Sequence, residues 1–238
     1  MNEYDKLKEI IASSNKITFF TGAGISVPSG IPDFRSSNGI YNTNLNAEEI
    51  LSHHYFINHV ESFYEFYKKH MVFENAEPNI AHKWIRTLEE QGKKVTIVTQ
   101  NIDGLHQLAG SSCVLELHGS IHRNHCLKCG KKYSLDKISA SKNIPLCDCG
   151  GIIRPDVVLY EEQLDEKTIY DSIEAISNCD ALIVIGTSLV VYPAASFIHY
   201  YRGNKLVLLN KSATRYDSVA DLIINEDITN IIERIKRT

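Results

Sequence analysis

The sequence predicts an α/β fold in which a doubly wound, mostly parallel sheet is interrupted by two excursions of the chain. Short β-branched runs alternate with longer helix-like segments along all 238 residues, as they do in proteins built from successive strand–helix units. Several of the short runs, such as 181–185 and 206–209, are apolar throughout. Strands of that composition are typical of a parallel sheet that is covered on both faces.

Six strands and six helices follow from this alternation, and together they predict a Rossmann-like domain. The strand candidates are residues 16–20, 94–99, 113–117, 181–186, 205–209 and 221–224. The helix candidates are residues 3–13, 47–70, 79–91, 166–177, 193–200 and 227–236.

Two blocks interrupt the alternation, and each starts and ends on strands of the main domain. Residues 31–80 are an aromatic-rich loop and helical insertion. Residues 122–155 are polar, carry cysteines and close with two glycines and a proline. We therefore assign 1–30, 81–121 and 156–238 to the Rossmann-like domain and treat the two blocks as excursions from it.

The composition is that of an ordinary soluble protein. Hydrophobic residues make up 43% of the chain and the net charge is −4, so no basic surface argues for nucleic acid as a partner. The first residues lack the apolar core of a signal peptide, and no apolar run approaches the roughly 20 residues that a membrane helix needs. We expect a cytoplasmic protein with no membrane partner, and the chain is compatible with a monomer.

Four of the six cysteines are concentrated in one short segment. Cys126 and Cys129 form one pair, Cys147 and Cys149 form the other, and 17 residues separate the pairs. Two such pairs on glycine-containing turns converge readily on one tetrahedral Zn²⁺. Because four protein ligands leave no open position, we expect a structural zinc ion that stabilises a zinc-ribbon module. Free thiols or a redox pair are the alternative.

The segment from Thr21 to Arg35, TGAGISVPSGIPDFR, follows an apolar strand and opens with two glycines one residue apart. The N–H groups of such a loop are free to donate to a diphosphate, which suggests NAD. The segment departs from the fingerprint G-x-G-x-x-G, since Val27 stands at the third glycine and no acidic residue follows about 20 positions on. The sequence therefore predicts that NAD is held in an unusual way.

Polar side chains also concentrate where the predicted strands end, which is where open parallel sheets bind ligands. Gln100 and Asn101 can hydrogen-bond ribose hydroxyls or a carboxamide, and Asp103 can accept from an amide. His118, with a glycine beside it, can take a proton from a sugar hydroxyl near neutral pH. Each residue alone has a structural alternative, such as capping the next helix, and we expect His106 to be structural. Their joint placement favours a functional site.

These motifs occur in the order found in the sirtuin family, which the chain resembles from Met1 almost to Thr238. The matching segments are Gly22–Ser26, Gly30–Arg35, Thr99–Asp103, His118–Gly119, the four-cysteine module and Gly186–Ser188. Sirtuins are NAD-dependent protein-lysine deacylases, and this compact chain is similar in length to bacterial and archaeal members. The resemblance implies that NAD is consumed as a substrate, with residues 31–80 as its cofactor-binding loop and helical insertion.

The resemblance also implies a role for each matching residue. The acyl-lysine oxygen would attack C1′ of the nicotinamide ribose and nicotinamide would leave. Asn101 would position that ribose, and His118, as general base, would promote attack by its 2′-hydroxyl. The products would be deacylated lysine, nicotinamide and 2′-O-acyl-ADP-ribose. The residues implied to bind NAD are Gly22, Ala23, Gly24, Ser26, Asp33, Phe34, Arg35, Gln100, Asn101, Asp103, His118, Gly186, Thr187, Ser188, Asn210 and Asp227.

Sirtuins bind their acyl-lysine peptide as a strand between the zinc module and the NAD domain. One departure from the family lies beside this groove, where Glu161 replaces a glycine. It adds bulk and a charge, and we hypothesise that it favours basic residues near the target lysine. The matching groove residues are Val157, Val158, Leu159, Tyr160, Leu189, Val190 and Val191.

Tyr64 and Tyr67, which are also candidates for substrate binding, partly indicate which acyl group is preferred. Family members that prefer succinyl or malonyl groups carry a Tyr-x-x-Arg pair at the matching positions. This chain has no arginine there to pair with an acidic acyl group. An acetyl or longer apolar acyl group is therefore expected. Simple core packing of both tyrosines is an equal alternative.

Three other functions are compatible with parts of the sequence. An NAD-dependent protein mono-ADP-ribosyltransferase would share nicotinamide cleavage and differ in its acceptor. A non-catalytic zinc-ribbon adaptor would have no need of the set Asn101, Asp103 and His118. A hydride-transferring dehydrogenase is disfavoured by Val27 and by the missing acidic residue.

Overall fold

The computed structural model describes residues 2–37, 39–43 and 46–237. Its strands are β1 (Lys16–Thr21), β2 (Lys94–Thr99), β3 (Val114–Glu116), β4 (Gly119–Cys126), β5 (Lys132–Tyr133), β6 (Ile153–Val157), β7 (Ala181–Ile185), β8 (Leu206–Leu209) and β9 (Leu222–Ile224). Its α-helices are α1 (Glu3–Ala12), α2 (Ile40–Thr43), α3 (Ala47–Ile50), α4 (His53–Asn58), α5 (Val60–His70), α6 (Ile80–Glu90), α7 (Leu105–Leu108), α8 (Leu135–Ser139), α9 (Glu166–Ser177) and α10 (Ile228–Arg237). Short 3₁₀ helices cover Ala23–Ile25, Val27–Ser29, Ala194–Tyr200 and Asp217–Val219.

The large sheet contains the six predicted strands in the order β3-β2-β1-β7-β8-β9, and every neighbouring pair is parallel. Each strand begins and ends within about one residue of its prediction, which confirms the α/β, doubly wound fold. The chain runs outward from β1 through β2 to β3, and later outward in the other direction from β7 to β9. The strand order therefore reverses between β1 and β7, and ligands bind at such a point in open sheets.

Both faces of the large sheet are covered, because neighbouring strand residues point to opposite sides. Phe19 faces a core built with helices α1, α6 and α10. Phe20 faces a second core, which contains Ile176 of α9 and Phe197 of the 3₁₀ helix Ala194–Tyr200. Among the described helices, none combines the length and the apolarity needed to cross a membrane.

A second, antiparallel sheet has the strand order β5-β4-β6 and was not among the predicted strands. Its apolar residues, such as Ile121 and Ile153, lie in a third core together with Phe56 and Phe63 of the insertion. The two excursions are separated in sequence by α6, which packs against the large sheet, and by β2 and β3, which are two of its strands. They nevertheless share one hydrophobic core in the folded chain.

The prediction of a single helix over residues 47–70 is wrong. The chain forms α3, α4 and α5 there, because the backbone between α3 and α4 pairs with another segment. The N–H of Tyr160 donates to the carbonyl of Leu51, and the carbonyl of Tyr160 accepts from His53, both over 3.0 Å. Ser52 then starts α4 by accepting the N–H of Tyr55. The predicted helix at 193–200 is a 3₁₀ helix, and the other four predicted helices are confirmed.

Candidate active site

The glycine loop after β1 is fastened to the end of β7. Gly22 N–H donates to Ile185 over 3.0 Å and Gly24 N–H donates to Gly186 over 2.8 Å. A Cβ atom on Gly24 would lie 2.7 Å from Cα of Gly186, closer than real Cβ contacts allow. These glycines are therefore required by packing of backbone on backbone, in addition to any approach of a ligand.

The expectation that this loop offers free N–H groups is wrong for most of it. Gly22, Gly24, Ile25 and Ser26 all donate to backbone carbonyls. The N–H of Ala23 donates to none of the described groups, and Ala23 is only half-buried. Within the described loop, Ala23 therefore keeps an available N–H donor at the start of a 3₁₀ turn.

Three of the predicted residues form one hydrogen-bonded group at the ends of β1 and β2. The Asn101 amide donates to Ser26 Oγ over 3.1 Å, and Ser26 Oγ donates to Asp103 over 2.7 Å. Asp103 also accepts the N–H of Leu105 over 2.9 Å. Burial raises the pKa of Asp103, and the hydrogen bonds from Leu105 and Ser26 oppose that shift. These bonds hold a carboxylate and an amide in fixed orientations at the switch point.

His118 lies beside this group with its tautomer determined by the backbone. Its Nδ1 is 2.9 Å from the carbonyl oxygen of Gln100, which can only accept, so Nδ1 carries the proton and Nε2 the lone pair. Burial lowers the pKa of His118, and the bond to Gln100 partly opposes this. A neutral ring with a free Nε2 lone pair can act as a base at neutral pH.

The segment after β7 closes the site from the other side. The Gln100 amide donates to Thr187 Oγ1 over 3.1 Å, and Thr187 Oγ1 also accepts the N–H of Leu189 over 3.2 Å. Leu189 is buried and has a positive φ of 53°, a conformation that is strained for a bulky residue. Ser188 is exposed next to it. The loop thus holds a strained, hydrogen-bonded conformation against the glycine loop.

The loop of Asp33, Phe34 and Arg35 is held by its own contacts. The Asp33 carboxylate accepts the N–H groups of Arg35 and Ser36, which makes it a turn-forming residue. Phe34 and the Arg35 guanidinium both contact the ring of Tyr41. The Tyr41 hydroxyl bonds to the hydroxyl of the groove residue at position 160. Sequence reasoning missed Tyr41, because no local pattern shows that it joins these two segments.

The predicted groove strand lies between two hydrophobic cores. Val157 and Leu159 are buried in the third core, whereas Val158 packs against the second. The N–H groups of residues 158, 159 and 160 already donate to His118, Glu162 and Leu51, respectively. On the opposite side, Leu189 is buried and Val190 and Val191 are half-buried. The segment 157–160 thus contacts His118 through the N–H of Val158, and part of the backbone of both segments is already paired.

Tyr64 and Tyr67 are buried in the third core, with exposed fractions of 1% and 0%. Both rings contact Phe63, and the Tyr64 hydroxyl donates to the carbonyl of Ile153. Burial raises the pKa of both hydroxyls. Of the two interpretations of the sequence, these contacts match core packing.

Asn210 and Asp227 lie at the same edge of the sheet, after β8 and β9. Asn210 donates its amide to the carbonyl of Ser212 over 2.7 Å. Asp227 accepts the N–H of Thr229 over 2.9 Å at the start of α10. Both are half-buried, and their placement is that expected for the far end of an extended ligand.

The four predicted zinc ligands converge. Their Sγ atoms all lie within 4.8 Å of one another, with 3.5 Å between Cys126 and Cys149 and 3.6 Å between Cys129 and Cys147. A tetrahedral ion with bonds of about 2.3 Å needs sulfurs about 3.8 Å apart. Hydrogen bonds from the Cys149 N–H and the Tyr133 hydroxyl lower the pKa of Cys147 to about 6, which favours the thiolate. Donor set and spacing therefore fit one Zn²⁺.

Glu161, the departure from the sirtuin pattern, has a positive φ of 74°. Glycine adopts that conformation without strain, which is a physical reason for glycine at this position. The Glu161 carboxylate accepts the N–H of His54 over 2.9 Å, in the first turn of α4. The adjacent Glu162 carboxylate accepts from Arg154. The charge of Glu161 is exposed beside the groove strand.

The Sir2 family model matches residues 22–193. Over 241 residues the chain is 56% identical to an NAD-dependent protein deacetylase of Clostridium acetobutylicum, a match that covers 99% of this chain and 98% of the relative. A protein of the same description from Clostridium perfringens is 54% identical, with 98% of each chain covered.

Two solved structures show the same fold. A Sir2 structure with a deacetylated p53 peptide and 3′-O-acetyl ADP ribose superimposes with a TM-score of 0.89 at 39% identity, covering 99% of this chain and 97% of the other. A Sir2 structure with a p53 peptide and NAD⁺ has a TM-score of 0.84 at 39% identity and the same coverage. These matches agree with the motif order found in the sequence.

Proposed function

The chain belongs to the Sir2 (sirtuin) family, and on that premise we propose that it is an NAD-dependent protein-lysine deacetylase. NAD and an acetyl-lysine protein are its substrates. The products are deacetylated lysine, nicotinamide and 2′-O-acetyl-ADP-ribose. The observation that carries the proposal is His118, a neutral imidazole whose Nε2 has no partner among the described residues and whose Nδ1 is fixed by Gln100, the residue before the hydrogen-bonded Asn101.

His118 acts as the general base in this proposal. Its Nδ1–H is held by the Gln100 carbonyl, so Nε2 is the atom that takes the proton from a ribose hydroxyl. The lowered pKa of His118 keeps this nitrogen unprotonated before the reaction. Proton transfer by a positioned side chain contributes about 100-fold to 10,000-fold to a rate.

The NAD-binding role is assigned to the residues gathered at the switch point. Ala23 donates its N–H to the diphosphate. Asn101 and Asp103 orient the ribose and the carboxamide of nicotinamide. The remaining residues act at the two ends of NAD: Phe34 and Arg35 cover the reacting end, while the segment Gly186–Ser188, Asn210 and Asp227 hold the ribose and adenine end.

The acyl-lysine peptide is proposed to lie between the segment 157–160, which follows β6, and the segment 189–191. Since Tyr64 and Tyr67 are closed within the core, the apolar groove itself sets the choice of acyl group, and acetyl or a longer apolar group is favoured. The exposed Glu161 carboxylate favours basic residues next to the target lysine. Zinc is held by the four cysteines and stabilises the small sheet.

The remaining proposals concern organisation and location. One chain supplies every residue of the proposed site, so we propose that the monomer is the active unit. A thiolate zinc site is typical of a reducing compartment, which supports a cytoplasmic location. We propose the domain boundaries 1–30, 81–121 and 156–238 for the NAD domain, with 31–80 and 122–155 as its two excursions.

The test incubates the protein with NAD and an acetyl-lysine peptide and follows both by mass spectrometry. We compare wild type with His118→Asn, because asparagine keeps an N–H donor near Nδ1 and has no basic nitrogen. Deacetylation should need NAD and fall at least about 100-fold in the variant, with the melting temperature retained. The control His70→Asn, on α5, should keep full activity.

The closest rival is tested in the same experiment. A mono-ADP-ribosyltransferase would transfer label from radiolabelled NAD to protein while the peptide keeps its acetyl group. That result, or a His118→Asn variant with wild-type deacetylation, would show that the proposed function is wrong.

A further inference from the structure

Two buried histidines lie beneath the proposed site, and the mechanism above uses neither. His82 is on α6 and His106 is on α7, and their exposed fractions are 0% and 1%. The rings contact each other edge to face, with centroids 4.9 Å apart and planes 65° apart. Burying imidazole rings costs free energy unless their nitrogen atoms are hydrogen-bonded, so the partner of each nitrogen decides what the pair does.

The tautomer of His82 follows from its hydrogen bond. The backbone N–H of Asn79 donates to Nδ1 of His82 over 3.3 Å, so Nδ1 holds the lone pair and Nε2 holds the proton. That Nε2–H has no hydrogen-bond partner among the described residues. Burial lowers the pKa of His82 to about 4, so the ring is neutral at neutral pH.

His106 has the complementary arrangement. The Thr21 hydroxyl donates to Thr99 Oγ1 over 2.8 Å, which leaves its oxygen to accept from Nε2–H of His106, 3.1 Å away. Nδ1 of His106 then carries a lone pair, and it too lacks a partner within the described structure. Burial lowers the pKa of His106 well below its usual range, and His82 is the ionisable neighbour that adds to this shift.

Hydrogen bonds continue from His106 to the site without a break. Thr99 Oγ1 accepts the backbone N–H of Asn101 over 3.0 Å. The Asn101 amide donates to Ser26, which donates to Asp103. The hydroxyl-bearing residues at positions 21, 99 and 26 are all buried, so bulk water has no access to replace a lost partner.

We propose that His82 and His106 are positioning residues for the NAD-cleaving site. The two neutral rings pack edge to face, the Nε2–H of His106 donates to Thr21, and together they hold Thr21, Thr99 and Asn101 in one orientation. The ring contact and the hydrogen bonds that His82 makes to Asn79 and His106 makes to Thr21 fix the orientation of the pair. The inference rests on the proposed function, because it states what the hydrogen bonds orient.

The test compares His106→Leu with His106→Gln in the full chain. Leucine fills a similar buried volume and removes the hydrogen bond to Thr21, whereas glutamine keeps an N–H that can donate to Thr21. We expect His106→Leu to raise the KM for NAD about 10-fold, which corresponds to one buried hydrogen bond. The KM for peptide and the melting temperature should stay unchanged.

His106→Gln should return the KM for NAD to within about 3-fold of wild type, because the hydrogen bond to Thr21 is restored. A His106→Leu variant that folds and keeps the wild-type KM for NAD overturns the proposal, since the two rings would then only fill space. A glutamine variant as impaired as the leucine variant overturns it as well.

¹⁵N NMR of the wild-type protein tests the pair even where a variant fails to fold. Both rings should be neutral at about pH 6 with the proton on Nε2, since burial disfavours the charged form. A charged ring at that pH, or a proton on Nδ1 of either ring, overturns the proposal.

Calorimetric titration with NAD separates the positioning role from the proposed function. If wild type binds NAD but does not deacetylate, the proposed function fails. The effect of His106→Leu on NAD affinity then still tests the positioning role: a weakened affinity supports it, and an unchanged affinity overturns it.

Discussion

The two sheets of this protein place polar groups in opposite ways. The large parallel sheet has a core on each face, and its polar group of Ser26, Asn101 and Asp103 is added at one edge. In the small sheet the polar group is the cluster of four cysteines, and it lies partly inside the core on which the small sheet depends. Cys126 and Cys147 are themselves members of the third core.

This contrast indicates what each ligand does. Removing NAD from the large sheet leaves a hydrogen-bonded edge on an intact core. Removing zinc from the small sheet leaves four thiols close together, two of which lie inside the core that the small sheet shares with the insertion. We therefore expect the first ligand to change activity and the second to change folding.

The strongest effect is expected for the double variant Cys126→Ser/Cys129→Ser, which removes two zinc ligands. A structural zinc site contributes roughly 10 kcal/mol to folding in small zinc modules, so the small sheet should unfold while the large sheet remains. Hydrogen exchange should show lost protection in β4 to β6 and retained protection in β1, β2 and β7. The control Cys113→Ser changes an exposed cysteine outside the cluster. This variant should keep the protection of both the small sheet and the large sheet. A purified wild-type protein without stoichiometric metal would contradict the assignment.

The next effect is expected at Gly119, where the two sheets meet. Its φ is 76°, and a Cβ atom there would lie 1.9 Å from the carbonyl oxygen of Asp156. Gly119→Ala should lower the free energy of unfolding by at least about 3 kcal/mol, from backbone strain and overlap together. Denaturant unfolding measures it.

Gly92→Ala is the matched control for Gly119→Ala. Gly92 has a φ of 89°, and a Cβ atom there would have no neighbour within 4 Å among the described residues, so only strain of about 1–2 kcal/mol is expected. Equal losses in the two variants would show that the close contact of Gly119 with the backbone of Asp156 in β6 does not contribute to the loss.

The weakest effect is expected for Glu161→Gly, between the groove strand and α4. Relief of the positive φ contributes about 1 kcal/mol and loss of the bond to His54 costs about as much, so stability should change little. The ratio of kcat/KM between peptides with and without flanking arginines should fall by less than about 5-fold, the size of an exposed charge pair. An unchanged ratio would show that Glu161 takes no part in peptide recognition. The variant Glu161→Gln removes the charge but keeps a side chain at the positive φ, and so separates the effect of charge from that of backbone strain.

Much of the fold was predictable from local patterns. The six parallel strands are largely apolar segments, which are stable only when they are buried in a sheet, and all six are confirmed. The helix over 47–70 was not predictable, because Leu51 and His53 pair with Tyr160, which lies in a distant part of the sequence. The small antiparallel sheet was missed for a similar reason, since its short strands gain their apolar contacts from the insertion.

The candidate site divides in the same way. Polar residues such as Asn101 and His118 were predicted because each follows a strand, and parallel strands end at one edge. The structure brings them together, while their roles in NAD chemistry stay a prediction. Tyr41 was missed, and Thr21 and Thr99 were quoted within motifs but given no role, because all three act through partners distant in sequence.

The amino-acid sequence alone was sufficient to predict the order of strands along the chain, the four thiols suited to zinc and the polar residues at the strand ends. These features depend on composition and spacing, which can be read along a sequence. Tertiary contacts were needed to show that Ala23 keeps an available N–H within the described loop, that Tyr64 and Tyr67 are closed in a core, and that His82 meets His106. Each of these depends on which hydrogen bonds and contacts are already taken, and that is settled only when distant segments meet.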